Sequence, residues 1–556
     1  MTESPQKPTR SLINIAKVVA IATLISKVFG LVRQQAIAAA FGTGAAYGAY
    51  NFAYVIPGFL LILLGGINGP FHSAMVSVLS KRKREDIAPI VDTITTLVVG
   101  LLLLVTVGLI VFAEPLIHLV APGLFITAEQ SRAAGQSAAD FVLIQQTRTI
   151  AIQQFQIMAP MAMLAGLIGI GFGTLNAADQ YWLPSISPLF SSVTLLLGLG
   201  VLAVNLGSEI TSPQNAVLGG AVLAWATLAG AVLQWLVQLP AQLRSNLGGL
   251  RLRFNFRQPE VQEVMRVMGP ATFSSGMLQI NVWTDLFFAS FISNAAAAVS
   301  AMGYAGLLIQ TPLGIVSNVI LVPLLPVFSR LAAPENWDEL KQRIRQGLIL
   351  AALTMIPLTT LTIALAVPLS RAVYERYAFR MEDSYLTAAV LVSYASGMFF
   401  YLGRDVLVRV FYALGDGDTP FRISIANILL NAVLDYLLLG WGAPGLVFAT
   451  VIVNVVSMFV MLGLLHRRLN GLPLRSLALP TVGLASGSGV AGLITWGVLL
   501  GCRQWLGDRG LLVLLAQLVI SGTVGLSVVA VVATQLRLPE VDLLVDRLRQ
   551  RFSRRE

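Results

Sequence analysis

TITTLVVGLLLLVTVGLIVFA, residues 93–113, runs for 21 residues without a charged side chain. A helix rises about 1.5 Å per residue, so a run of this length crosses the roughly 30 Å hydrocarbon core of a bilayer. The run lacks the period-two alternation of a membrane barrel strand. Lipid supplies no hydrogen-bond partners, so backbone placed there must satisfy itself, and a helix does this within one segment. The stretch therefore reads as a transmembrane helix.

Similar runs recur along all 556 residues. Of these residues 56% are hydrophobic and only 12% are charged, with mean hydropathy +0.78. A soluble domain has about twice that share of charge. The pattern predicts an all-α integral membrane protein with about fourteen spans. They are placed at 12–41, 48–79, 90–120, 149–175, 185–205, 215–239, 264–293, 298–328, 347–369, 385–413, 421–440, 443–465, 477–501 and 511–535. The polar start, MTESPQKPTR, leads into a span interrupted by Lys17, Lys27 and Arg33, which reads as retained rather than as a cleaved signal.

Charge sets the orientation. With the N-terminus inside, and with Arg266 and Arg422 at the inner edges of their spans counted as inside, 25 of the 37 Lys and Arg residues fall inside, 7 outside and 5 within spans. This is the positive-inside pattern, and it predicts N-in, C-in. The net charge of +10 is accounted for by anionic lipid headgroups, not nucleic acid. Residues after Leu538 read as a basic amphipathic tail on the cytoplasmic leaflet. The single cysteine, Cys502, excludes an internal disulfide, and the three histidines show no metal-ligand spacing. No nucleophile elbow, phosphate loop or zinc motif is present, so the chain does not read as an enzyme.

A weak repeat relates span 2 (Ala53, Tyr54, then Pro57) to span 8 (Tyr304, Ala305, then Pro312). Six spans separate the copies, so they share one orientation, as in transporters built from parallel repeats. Pro57, Gly65, Gly66 and Pro312 interrupt these spans and are candidate hinges; ordinary packing kinks are the alternative.

Ionisable and polar residues inside spans are costly and point to function. Span 1 holds Lys27 and Arg33, six residues apart and thus on different sectors of the helix. A cation lining a cavity would attract an anion such as phosphate, for which the planar fork of Arg is suited. Snorkelling of Lys27, or pairing with an acid on another span, is the alternative. Asp285 in span 7, Asn427, Asn431 and Asp435 in span 11, and Thr450 and Asn454 in span 12 offer oxygen ligands from three helices. They suit Na⁺ better than a transition metal; a proton-carrying or merely hydrogen-bonded cluster fits equally. Asp405 and Arg409 in span 10 are spaced for an intrahelical pair, and GDGDTP at 415–420 reads as a cytoplasmic turn.

SKVFGLVR at 26–33, MGPA at 268–271, FASF at 288–291, and FYALGD at 411–416 with Thr419, Pro420 and Asn431 resemble the MurJ (MviN) family of lipid II flippases. That family belongs to the multidrug/oligosaccharidyl-lipid/polysaccharide exporter superfamily. The resemblance covers nearly the whole chain. It implies a tail at 1–11, a six-span lobe at 12–240, a basic linker at 241–263 and a second six-span lobe at 264–466. Spans 13 and 14, at 467–536, would form a lipid-tail groove ahead of the basic tail at 537–556. The two pseudo-symmetric lobes would frame a cationic cavity. Alternating access would carry an undecaprenyl-pyrophosphate-linked glycan across a bacterial inner membrane, among membrane lipids and other cell-wall synthesis proteins. By resemblance Arg33 is the substrate-binding arginine and Lys27 a second basic position, with Gln34 beside them where the family has an acid. Asp285, Asn431, Asp435 and Thr450 match a Na⁺ site found in some members; no other cofactor is implied. The chain departs from the family at 60–68, LLILLGGIN, which lacks the usual arginines and Glu of span 2. It departs again at Gly306 and Leu307, which stand where span 8 usually has an Asp-Arg pair. The implied cavity is therefore less cationic. The rival readings are a flippase for another polyprenyl-linked glycan, a scaffold of the same fold that does not transport, and a glycan-transferring membrane enzyme.

Overall fold

Apolar runs flanked by charge fold as helices because each buried amide finds its partner four residues away. The computed structural model describes residues 12–66, 69–82, 84–248, 251–277 and 280–536. Every regular element among them is helical. The chain divides into two compact units, Met1–Ala297 and Ala298–Glu556.

The first unit contains α1 (Leu12–Phe41), α2 (Ala45–Gly65), α3 (Pro70–Leu79), α4 (Arg84–Val111), α5 (Ala113–Val120), α6 (Ala128–Ala133) and α7 (Ala138–Met158). It continues with α8 (Met161–Ala177), α9 (Trp182–Ile186), α10 (Pro188–Leu206), α11 (Ala216–Leu236), α12 (Leu239–Arg244), α13 (Pro259–Met277) and α14 (Ile280–Ala289). α2 packs against α7, α8 and α11, and α3 against α8 and α13. Phe71, Met75, Ile94 and Val98 centre a core where α3 and α4 meet α8. At the rim of this core Arg82 reaches Glu260 (3.6 Å) and Glu263 (3.4 Å).

α15 (Ala295–Arg330) begins at the boundary and runs into the second unit. There it is followed by α16 (Trp337–Ala364), α17 (Ala366–Tyr374), α18 (Met381–Ser396), α19 (Met398–Ala413) and α20 (Asp418–Leu438). α21 (Ala443–Arg468), α22 (Leu474–Leu506) and α23 (Leu511–Gln535) complete the unit. α22 and α23 pair with each other and lie on α16, sealed by Ile349, Ala352, Leu484 and Ala533.

Eleven helices among the described residues are long and apolar enough to cross a membrane, or twelve if the bent pair Ala138–Met158 and Met161–Ala177 is one span. Aliphatic side chains such as Leu104 (72% exposed), Val204 (86%) and Leu512 (83%) stand on their outer faces. In water this would be a large penalty; it is the surface expected where lipid is the solvent. α1, α13 and α14 fall outside the count. They cover the two spans that the sequence marks as interrupted by polar residues.

Several expected spans differ in detail. Span 2 is two helices, with α2 ending at Gly65 and α3 starting at Pro70. Span 4 starts early, at Ala138, because Ser137 and Asp140 form a capping box ahead of the apolar run, and it bends by 41° after Met158. Span 7 is α13 followed by α14. Asp405 and Arg409 are within electrostatic range but make no close salt bridge, and Arg409 donates from Nη1 to the Leu321 carbonyl at 3.3 Å. The amphipathic tail expected after Leu538 lies outside the described residues.

Candidate functional site

In the first unit α1 and α2 meet through a buried amide. Gln34 is 6% exposed, and its Nε2 donates to the Tyr47 hydroxyl. Asn51 donates to the Tyr47 carbonyl at 2.8 Å. Tyr47, Tyr50 and Tyr54 share one helical face because they are three and four residues apart. Their rings stack in succession, Tyr47 on Tyr50 at 6.1 Å and 18°, Tyr50 on Tyr54 at 5.3 Å and 14°. The Thr227 hydroxyl donates to the Leu223 carbonyl (2.7 Å), which leaves it to accept from Tyr50 (3.1 Å) and ties α11 to α2. Gln154, fully buried, donates to the carbonyls of Ala46 (3.2 Å) and Gly220 (2.9 Å), fixing α7 to both.

Arg33 stands against this ladder. Its charge is within electrostatic range of all three tyrosine hydroxyls. Its Nε is buried without a hydrogen-bond partner. No carboxylate pairs with it among the described residues. A half-buried guanidinium with no acid partner has had its charge partly desolvated without compensation, so an anion could pair with it. Lys27 is exposed on another sector of α1. Gln34 is committed to Tyr47 and orients the helix pair.

The second unit gathers three of the four cation candidates. Asn427 (6% exposed), Asn431 (1%) and Asp435 (0%) line the buried side of α20 at successive turns. Asn431 donates to Asp435 Oδ2 at 2.7 Å and accepts from the Thr450 hydroxyl at 3.3 Å. Asn427 donates to Ser457 at 3.2 Å. The seam continues through Asn454, which donates to the Thr450 carbonyl (2.8 Å) and accepts from Arg404 (3.4 Å). A carboxylate, an amide oxygen and a hydroxyl are hard oxygen donors, and they fit a hard cation such as Na⁺. No group of three His, Cys, Asp or Glu residues is assembled among the described residues. The fourth candidate, Asp285, is on α14 of the first unit.

Of the hinge candidates, Gly65 and Gly66 mark the end of α2, whereas Pro57 and Pro312 lie inside uninterrupted helices. GDGDTP is the expected turn. Gly415 takes a left-handed φ of +73°, and Asp416 accepts from the Thr419 N–H (3.0 Å), the Thr419 hydroxyl (2.8 Å) and Arg468. Burial pushes the Asp416 carboxyl up, but these three donors outweigh it and hold it below the ordinary carboxylate value.

One charged cluster escaped the sequence reading. Arg371, 5% exposed on α17, grips Glu375 through Nε (2.6 Å) and Nη2 (3.2 Å). It also grips Asp508 through its side chain (2.7 Å) and carbonyl (2.9 Å). Glu375 above all, with Asp508, keeps this guanidinium more firmly protonated than usual despite burial. The Arg371–Glu375 spacing of four was visible in sequence; Asp508, 137 residues away, was not.

The family model for lipid II flippase MurJ matches residues 37–514. A probable lipid II flippase MurJ from Synechocystis sp. is 56% identical over 550 residues, 99% of each chain. One from Vibrio cholerae is 27% identical over 505 residues, 88% of this chain and 89% of its own. Among solved structures, a lipid II flippase MurJ in an inward closed conformation superposes with TM-score 0.71 at 21% identity, over 94% of this chain and 100% of that one. An inward-facing MATE family multidrug transporter of the MOP superfamily gives 0.59 at 14% identity, over 82% and 98%. Both share the fold.

Proposed function

The chain belongs to the MurJ family of lipid II flippases, and from that premise we propose that it carries the undecaprenyl-pyrophosphate-linked cell-wall precursor from the inner to the outer leaflet of a bacterial cytoplasmic membrane by alternating access. The observation that carries the reading within the structure is Arg33: a guanidinium on α1 with an unpartnered Nε and, among the described residues, no carboxylate beside it. A pyrophosphate supplies the missing anion, and the Arg fork can hold two of its oxygens. Expression in cells depleted of their own lipid II flippase tests this directly. The wild-type chain restores growth, Arg33→Ala does not, and Arg33→Lys does so partly, because an ammonium lacks the bidentate fork. Lys27→Ala is milder. Full rescue by Arg33→Ala would remove the span 1 cation from the mechanism.

The topology that goes with this function has fourteen spans with both termini inside. Cysteines placed at the exposed positions Ser80 and Asn470 label from the cytoplasm, and one at Gly44 labels from outside. Gly65 and Gly66 serve as the hinge of span 2. The Asn431–Asp435–Thr450 seam holds Na⁺. Purified protein should then melt higher in Na⁺ than in K⁺, by an amount that follows RT ln(1+[L]/Kd) and disappears in Asp435→Asn. Equal melting in the two salts would end the Na⁺ reading and leave a hydrogen-bonded seam.

A further inference from the structure

We propose that Tyr54 is a second anion donor, placed beside Arg33 to hold the pyrophosphate of the substrate. This rests on the flippase reading above and assigns one more residue to its binding site. The three stacked tyrosines do not have equal freedom. The Tyr47 hydroxyl is engaged by Gln34 and the Tyr50 hydroxyl by Thr227. Tyr54 is half-buried, and its hydroxyl has no hydrogen-bond partner among the described residues, while Arg33 is close enough to act on it electrostatically. Among the described residues, two donors without partners, the Arg33 Nε on α1 and the Tyr54 hydroxyl on α2, thus belong to side chains within electrostatic range of each other.

The ring is also seated. A Cβ built on Gly58 would fall 2.2–2.5 Å from Cε1, Cδ1 and Cζ of Tyr54, so the ring lies in a space that only glycine leaves open one turn further along α2. Tyr50 stacks on its other side. A packed ring with a free hydroxyl loses little rotamer entropy when it donates to a ligand. The arrangement also answers the composition of span 2. The stretch 60–68 has no charged residue, so an anion entering here meets one guanidinium and needs neutral donors to complete its shell.

The test uses the purified full-length chain in detergent and two probes, farnesyl pyrophosphate and farnesol, which share a tail but not the anion. Tyr54→Phe keeps the ring and removes the hydroxyl. It should weaken farnesyl pyrophosphate binding about tenfold, leave farnesol unchanged and leave the melting temperature unchanged. Tyr50→Phe should do the reverse, lowering the melting temperature while leaving the probe affinity alone. Gly58→Ala, which displaces the ring, should weaken the pyrophosphate probe as well. If Arg33→Gln loses the pyrophosphate probe but Tyr54→Phe binds like wild type, Tyr54 is packing only and the proposal falls. If neither variant matters yet the chain rescues flippase-depleted cells, the proposal falls and the flippase reading stands. If both variants weaken the probe but the wild-type chain fails to rescue, the anion pair stands and the flippase reading falls. If the wild type holds farnesyl pyrophosphate no more tightly than farnesol, there is no anion site here.

Discussion

α2–α3 in the first unit and α15 in the second carry related sequence, a tyrosine next to alanine, then a proline, then a long apolar run, yet only the first is interrupted. Proline is not the cause. α15 runs unbroken through Pro312, Pro323 and Pro326, and α2 runs through Pro57. Each proline removes one helical N–H and leaves the carbonyl four residues earlier without its donor. The break in span 2 comes where Gly66 turns extended, at φ −75° and ψ 147°. A Cβ there would sit 2.3 Å from the Ile62 carbonyl oxygen, and one on Gly69 would sit 2.6 Å from that of Leu63. Side chains at these two positions would meet the backbone of the last turn of α2. The tyrosines differ in the same way. Tyr54 is half-buried with a free hydroxyl, whereas Tyr304 is fully buried against Tyr374 and Phe379, its carbonyl accepting from Tyr374 at 3.1 Å. Equivalent sequence signals thus serve a polar wall in one unit and a core in the other.

The comparison can be broken most forcefully at Arg371. α17 holds α15 through Tyr374 and holds the loop before α23 through Arg371. Arg371→Ala removes the guanidinium from both carboxylates and leaves Glu375 with Ser384 (3.3 Å) and Asp508 with Arg503 (3.9 Å). The loss should be about 3 kcal/mol, the low end for a buried pair, because Asp508 is 41% exposed. Thermal unfolding in detergent measures it. A change below the error of the melt would mean that the continuity of α15 owes nothing to this clamp.

Glycine and proline substitutions sharpen the contrast itself. Gly66→Ala should destabilise by about 1–3 kcal/mol, since the new methyl must push against backbone. Pro312→Ala should stay within about 1 kcal/mol either way, because the helix already passes through that position. The opposite ranking in thermal melts would return the break to proline.

Asp416 gives the smallest effect and calibrates the others. Its folded value lies below the ordinary one, so its contribution is present above the ordinary carboxylate range and is lost as pH falls through that range toward the lowered value. Asp416→Asn should cost about 1 kcal/mol near neutral pH, as loss of a helix-start acceptor does. The deficit should shrink below about pH 4. A deficit that is flat with pH would show that Arg468 and Thr419 do not sense the charge.

Much of this was legible in one dimension. Spans such as 93–113 announce themselves, because a helix in lipid needs only length and apolar side chains. GDGDTP reads as a turn for an equally local reason: Gly415 takes the left-handed φ and Asp416 accepts from a residue three further on. The Asn427–Asn431–Asp435 seam was visible because a spacing of four stacks residues on one face.

What lies beyond the sequence is the matching of residues far apart in the chain. Arg409 donates to a carbonyl 88 positions away, and Arg371 finds Asp508 across 137. Gln34, next to Arg33 in sequence, donates to Tyr47 on the neighbouring helix. Sequence alone determined which segments are helical and which residues are too polar to face lipid, since both follow from local spacing and the cost of desolvation. Only the tertiary structure decided which of those polar residues satisfy one another and which, like Arg33 and Tyr54, keep a donor free. That outcome depends on which helices pack together, and hydrogen bonds form over about 3 Å, a distance that spacing along the chain does not encode.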